Sequence, residues 1–455
     1  MDTPAIPLPR DDREREILVK LEAMRDRLLL LKRDRTKYIR SQDVLQLYDE
    51  TIEQVRLLRE VRAGRNDGEN RLDRVLDSCF QLLSLFFMTI GRTSEAPAAY
   101  SLTSTIRRLL DHLTEANLFS AKDLESITHT LDRMSSIVHN ADSSEPPYLA
   151  ELVSRRVEQC KESLKKLQDK VEKLEAPLPA IHEKLISILR SMSLANTKPR
   201  FSPTEVQKFK TQLKEIDEKR VDGHFVNDEG NVPAGDDEVS DLLSRCLIWA
   251  DIVLERKGAI PDEFKPMYST LVGIRNDLEK LSITQAWSLR ETDLYDFQRQ
   301  LDKFDEARVD GNWVDEDGKP AELYVQRTCL YLIRRSYGLV YSLMISSEPV
   351  SEALLPVYNQ LLTLKRCLLE VQESGGISSP RELYPYSMKL NSIDNMRVDG
   401  KFMVGGDIPE GQGNVTELLA ECFELNYELR LAAEEKQAAE ERSVGDDGKA
   451  DNAKE

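Results

Sequence analysis

The tetrapeptide Arg-Val-Asp-Gly occurs three times, at Arg220–Gly223, Arg308–Gly311 and Arg397–Gly400, with spacings of 88 and 89 residues. A fixed period of this kind means a chain assembled from equivalent units. One residue beyond each copy stands an aromatic, Phe225, Trp313 or Phe402, followed by Val226, Val314 or Met403. A loop with Pro233, Pro320 or Pro409 comes next and leads into an apolar-periodic stretch that carries a cysteine.

The cysteines extend the register upstream. Cys79, Cys160, Cys246, Cys329 and Cys422 are spaced 81, 86, 83 and 93 residues apart. Pro97, Pro179, Pro261 and Pro349 open or precede apolar helices at spacings of 82, 82 and 88, as suits a residue whose missing N–H is no loss in a first helical turn. Ser202-Pro-Thr-Glu205 and Ser379-Pro-Arg-Glu382 read as capping boxes, Ser288–Glu291 and Ser120–Asp123 as looser versions, and Ser41 marks the same place earlier. The spacing predicts five units of about 80–90 residues. Each holds three helices of about 18–25 residues, roughly 27–38 Å long. The first two units lack the tetrapeptide and carry Val61–Gly64 and Val138–Ala141 instead.

The fold class is therefore all-α, a helical repeat array or bundle of about five three-helix units. Gly and Pro together make up under 9% of the chain, against roughly 12% on average, which argues against an all-β class. Residues 1–12 are expected to be a disordered N-terminus, 13–175 to hold units one and two, 176–435 units three to five, and 436–455 a disordered acidic tail. A boundary near Ala176–Pro179 leaves one superhelix and two bundles both open.

Charge and cysteine usage bound the function. The formal net charge is −18, which repels phosphate polymers and anionic membranes unless a basic patch is concentrated somewhere. Arg107-Arg108, Arg155-Arg156 and Arg334-Arg335 are isolated along the sequence, so neither nucleic acid nor a membrane is an expected partner. The apolar run Cys79–Gly91 is shorter than the about 20 residues that span a bilayer, and reads as a buried core helix. The N-terminus lacks the basic-then-apolar order of a signal peptide. Six cysteines are too few for a disulfide scaffold, and a reducing compartment is expected.

The search for chemistry returns little. His112, His129, His139, His182 and His224 form no His-Glu-x-x-His, and there is no Gly-x-Ser-x-Gly and no phosphate-binding Gly-rich loop. No catalytic residue, cofactor or metal site is expected, and the chain is read as not an enzyme. The Arg-Val-Asp-Gly loops allow two readings: turns that fold an aromatic back onto the bundle, or a recognition surface built from Arg220, Asp222, Phe225, Arg308, Asp310, Trp313, Arg397, Asp399 and Phe402. In the first, each arginine bonds helix carbonyls or the aspartate two residues on. The cysteine register reads either as small buried hydrophobes or as a thiol system for metal or oxidants, with Cys367 the free thiol. The heptad seam Val157, Cys160, Leu164, Leu167, Val171 and Leu174 serves packing within the bundle, or self-association through 157–174.

Lys37–Asp43, Leu83–Arg92, Ile106–Leu113, His182–Ile188 and the Arg-Val-Asp-Gly-x-aromatic loops resemble an uncharacterised fungal family of helical proteins, a domain of unknown function. The resemblance covers nearly the whole chain. Pro409-Glu-Gly-Gln412 fits its loop ending; Pro233–Asp236 and Pro320–Leu323 depart from it. The resemblance implies a protein of cytoplasm and nucleus, and no established reaction. The function expected is that of a non-enzymatic scaffold or adaptor whose partners are other proteins. A cysteine-dependent metal or oxidative-stress protein and an enzyme with an interhelical pocket are the alternatives.

Overall fold

The computed structural model describes residues 6–63, 68–139 and 147–451, and fifteen α-helices supply nearly all their regular structure. The first unit holds α1 (Asp12–Arg33), α2 (Ser41–Val61) and α3 (Arg71–Thr89), and the second α4 (Ala96–Ala116), α5 (Ala121–His139) and α6 (Pro147–Glu172). The third holds α7 (Leu178–Asn196), α8 (Pro203–Asp217) and α9 (Asp236–Arg256). The fourth comprises α10 (Lys265–Ser288), α11 (Leu294–Glu306) and α12 (Leu323–Ile345), and the fifth α13 (Leu355–Glu373), α14 (Tyr384–Asp394) and α15 (Gln412–Asp451). The fold is all-α, in five units of three helices.

Within every unit the first and third helices pack against each other, and the third carries the register cysteine. The thiols of Cys79, Cys160, Cys246 and Cys422 point at first-helix carbonyls, those of Leu21 (3.6 Å), Thr103 (3.9 Å), Leu185 (4.0 Å) and Leu361 (3.5 Å). A small side chain is what lets two helix backbones approach this closely, and the S–H donor adds a weak bond. Cys329 is likewise buried. Burial pushes the thiols of Cys79, Cys246 and Cys329 up to about 12 and those of Cys160 and Cys422 to about 11. Cys367 is exposed.

The middle helices differ from the expected length. They span 21 and 19 residues in the first two units but 15, 13 and 11 in the last three. There the Arg-Val-Asp-Gly segment replaces the final helical turns with a two-residue hairpin. Asp222, Asp310 and Asp399 have φ of 52°, 48° and 51°, and the glycines after them 88°, 78° and 77°. Two consecutive positive φ values define the type I′ turn, for which Asp-Gly is suited. Gly64 and Asn140–Ala141, in the corresponding stretches of the first two units, lie outside the described residues.

Helix starts follow capping chemistry. Asn70 with Asp73 and Ser379 with Glu382 form capping boxes, the latter on a short 3-10 turn ahead of α14. Ser120 and Asp123 exchange the same pair of bonds at 2.9 and 3.2 Å. Ser202 makes no cap bond; its hydroxyl lies 2.9 Å from that of Thr204. The side chain of Ser288 lies outside the described residues.

The units do not run in a straight line. Helix α12 packs against α4 as well as α10, and α11 with the 3-10 turn Glu291–Asp293 packs against α3. The fourth unit thus folds back over the first and second. One apolar core runs from Ile17 to Met344, and a smaller one from Val350 to Ala433. The core is continuous across residue 176, and its division falls near residue 347 instead.

A buried ion pair, the Arg92–Glu410 pair and the Glu352 N–H to the Thr89 carbonyl (2.9 Å) all join the fifth unit to the rest. Arg290 donates to Glu352 at 2.6 and 3.0 Å and to the carbonyl of Asp34 at 2.8 Å, while Glu352 also accepts the Ile39 N–H at 2.7 Å. Gly91 and Gly411, both at positive φ, lie against Val350 and Ser351; a Cβ on either would come within 2.6 or 2.8 Å of that backbone.

Three observations bear on the seam and the two termini. The seam residues Val157, Cys160, Leu164 and Leu167 are buried against α4 and α5, so the chain itself occupies the surface that self-association through 157–174 would need. Residues 7–11 are not loose: the Pro7 carbonyl accepts Arg71 N–H at 3.0 Å, and the Pro9 carbonyl accepts Arg15 Nε at 2.9 Å. Residues 1–5 lie outside the described residues. Helix α15 continues past 435 to Asp451, with Lys436 bonded to the Gly375 carbonyl at 2.8 Å. Among the described residues no helix is long and apolar enough to cross a membrane.

Thiol accessibility tests this packing. A disulfide-exchange label at pH 8 should titrate Cys367 alone in the native protein and all six thiols in guanidinium, because a buried, protonated thiol is unreactive. Fast labelling of any register cysteine in the native state would contradict the close helix crossings.

Candidate functional site

The three loops are structural in construction. Phe225, Trp313 and Phe402 are buried, so their rings are not available to a partner. The N–H of each is held by a side chain near the start of the next helix: Asp236 (2.7 Å), Gln326 (3.1 Å) and Gln412 (2.9 Å). The two glutamines also donate back to the same residue's carbonyl, at 2.8 and 2.7 Å. Arg220, Arg308 and Arg397 each bond an aspartate three residues earlier, Asp217, Asp305 and Asp394. Arg220 and Arg308 also reach the turn glycine carbonyl, at 3.2 and 2.7 Å. The arginines therefore lock the hairpin to the preceding helix, through a partner on the other side from the one the sequence suggested. Asp222, Asp310 and Asp399 remain exposed at the turn tips. No hydrogen bond or ion pair among the described residues joins one loop to another.

A site absent from the sequence reading lies where units two, three and four meet. A cleft of about 910 Å³ opens between α4 and α5, α7 and α9, and one face of α12. Five arginines line it, Arg190, Arg245, Arg327, Arg334 and Arg335, together with Lys122. Its carboxylates are Glu115 and Asp123 only, and both are committed: Glu115 to Arg308 and Asp123 to Arg190. The pair Arg334-Arg335, isolated along the chain, is thus part of a concentrated basic site. Gly311 and Asn312 bring the unit-four hairpin to its rim.

Helix α12 explains the geometry. Cys329, Leu332, Ile333, Ser336, Tyr337 and Val340 are buried on its core faces. The residues left over, Arg327, Leu330, Tyr331, Arg334 and Gly338, recur at helical spacing and so form one stripe facing the cleft. From Arg327 to Gly338 that stripe rises about 16 Å along the axis.

Two donors in the cleft lack partners. Nε of Arg334 and Nε1 of Trp249 are buried, and neither finds an acceptor among the described residues. Burial, with Arg308, Arg245 and Arg327 nearby, holds the Arg334 guanidinium down at about 10, although Glu115 acts in the other direction. Burial and Arg245 lower Arg327 as well. Among the described residues Arg327 makes no ion pair; it lies over the Trp249 ring at 5.7 Å. Arg245 reaches the Ala116 carbonyl at 2.9 Å, and Arg335 stands 3.6 Å from Glu279. An opposite charge brought among confined like charges of this kind favours their charged form.

One group among the described residues has metal-ligating composition: His224, Asp236 and Asp237. It does not fit a metal centre. One Asp236 oxygen accepts the Phe225 N–H at 2.7 Å and the other the His224 ring at 2.7 Å, the role that the glutamines play in the later units. The register cysteines sit on five different helices and offer no shared site.

A family of proteins of unknown function, DUF2408, matches residues 171–291 and 348–446, each stretch holding one Arg-Val-Asp-Gly hairpin. A CUB1 family protein of Schizosaccharomyces pombe is 38% identical over 438 residues, which is 94% of this chain and 94% of that one. The chain belongs to this family. A second member, the Cu(2+) suppressing and bleomycin sensitive protein 1 of Saccharomyces cerevisiae, is 35% identical over 503 residues, covering 93% of this chain and 91% of its own. No solved structure matches.

Arginine burial in this family member has a measurable cost. Since the folded state holds the Arg334 proton less tightly than the unfolded chain, the charge opposes folding below pH 10, and the penalty fades only as pH rises from 10 toward 12.5. Arg334→Met keeps the side-chain length and removes the charge. In the free protein at pH 7.5 it should raise stability in urea by about 1–3 kcal/mol. Destabilisation of similar size would mean that Arg334 has a structural partner.

Proposed function

We propose that the protein is a non-enzymatic, all-α binding protein whose working site is the arginine cleft, where it receives an anionic ligand. The observation that carries this is the presence of Arg327 and Arg334 on one stripe of α12, with no ion pair to either among the described residues, in a chain of net charge −18. Acidic side chains are abundant elsewhere, and the two that line the cleft, Glu115 and Asp123, are paired with Arg308 and Arg190. The lining offers no histidine, and no serine in it is paired with a base, so it has charge to hold an anion and no acid–base pair to transform one.

The scaffold reading takes a narrower form. The three hairpins are brackets that close each unit, and only the unit-four hairpin reaches the cleft rim. The name of the Saccharomyces relative links that protein to copper, but the geometry of His224, Asp236 and Asp237 does not favour a copper reading for this chain. Six free thiols suit a reducing compartment, in keeping with cytoplasm or nucleus.

Titration of the full chain with inorganic pyrophosphate, in a phosphate-free buffer at low salt, tests the proposal. Binding should appear in calorimetry and weaken as NaCl is raised. It should fall at least tenfold in Arg334→Met and in Arg327→Met, since a charge-assisted bond contributes about 1.5–3 kcal/mol. Arg155→Met, on the exposed face of α6, should leave it unchanged. No binding, or equal binding by all variants, would overturn the proposal.

A further inference from the structure

The cleft is not a uniformly charged surface. Its arginines are interleaved with Leu109, Leu113, Ile127, Ile186, Leu189 and Leu330. Two further lining residues, Leu194 and Leu323, are exposed large apolar side chains, 39% and 50% accessible. Exposed leucines beside unpaired arginines are opposite demands on one ligand. An inorganic polyanion would satisfy the arginines and leave the apolar wall wet. A purely apolar ligand would bury the guanidinium groups without compensation.

The size of the cleft sharpens the choice. About 910 Å³ lies within the range of small-molecule sites, roughly 300–1,000 Å³. A nucleic-acid polymer would instead have to approach a chain of net charge −18 along its acidic exterior. The donors also have a direction. Arg245, Arg327, Arg334 and the unpartnered Trp249 N–H group around the α9–α12 side, whereas Leu194 and Leu189 come from α7.

Resting on the anion-binding reading, we infer that the ligand is a small organic phosphate: a phosphoryl group held by Arg245, Arg327 and Arg334, joined to an apolar body that lies on the leucines of α7 and α12. The body could be a heteroaromatic ring or an aliphatic chain, and the shared chemistry is a phosphoryl anion with an apolar substituent. Tenfold in affinity over a bare phosphate requires only about 55 Å² of apolar surface taken from water. Leu194 and Leu323 together provide an area of that order.

Three probes that share a diphosphate separate the outcomes: inorganic pyrophosphate with no body, ADP with a heteroaromatic body, and geranyl diphosphate with an aliphatic one. Each is titrated against the full chain and against the surface variants Leu194→Asn and Leu323→Asn. At least one organic diphosphate should bind tenfold or more tighter than pyrophosphate, and which one does so identifies the body. That advantage should shrink at least threefold in the leucine variants while pyrophosphate affinity holds. If pyrophosphate binds as tightly as both organic probes, or if the advantage survives in both leucine variants, the inference fails and the anion reading stands. If none of the three binds, both fail.

Discussion

Helix α12 is the element on which the rest of the molecule depends. It packs on α10 within its own unit and on α4 of the second unit, and touches α7 and α9 of the third. A helix with so many neighbours must be apolar or small on most of its circumference, and Cys329, Leu332, Ile333, Ser336, Tyr337 and Val340 meet that demand. Only one stripe is left for anything else. Into that stripe the sequence places Arg327, Arg334 and, at its edge, Arg335. The position of the cleft is thus a consequence of how the fourth unit returns over the second and third, and its charge comes from the one face of α12 that the core does not claim.

The repeat supplies the frame for that return. In units one, two, three and five the third helix meets the first at a thiol, where a larger residue would force the backbones apart. In the last three units the hairpin shortens the middle helix and turns an aromatic inward, and truncating such a buried ring costs about 3–5 kcal/mol. The arginine of each hairpin is tied back to an aspartate one turn earlier, so its charge is neutralised locally. This separates two classes of arginine. Arg220, Arg308 and Arg397 have partners built into their own unit; Arg327 and Arg334 have none.

The helices were legible in the sequence because a helix announces itself locally. Periodicity, first-turn prolines and the recurring cysteine place all fifteen helices within their five units, and the buried character of Cys79–Gly91 follows from its composition alone. What the sequence hid depends on distance through space. The aspartates that hold the hairpin arginines were visible three residues ahead of each tetrapeptide, Asp217, Asp305 and Asp394, and a longer repeat motif would have included them. The cleft was not visible in this way. Arg190, Arg245 and Arg334 come from three helices of two units, and Arg334-Arg335 looks like one of several unremarkable basic pairs until α9 brings Arg245 alongside. The core division near residue 347 was masked for the same reason, since Ala176–Pro179 has the composition of a boundary while its flanking helices share one core.

An arginine without a counter-ion in a half-buried cleft is a local conflict between residue and environment, and such conflicts concentrate where a protein meets its ligand. The surrounding chain has 81 acidic residues against 63 basic ones, so a substitution that placed a carboxylate beside Arg334 would have been easy to supply. Instead the nearby acids are bound elsewhere. Glu115 holds Arg308, Asp123 holds Arg190, and Asp302 and Asp305 face Arg108 and His112 in the layer beneath. Burial holds Asp302 above the usual carboxylate range, while the His112 and Arg308 contacts bring Asp305 down to about 2. The acids near the cleft are therefore committed to other partners, and Arg334 keeps a buried Nε with no acceptor among the described residues. In a chain this acidic, the core faces of α12 hold the helix in place while its remaining stripe presents Arg327 and Arg334 to the cleft.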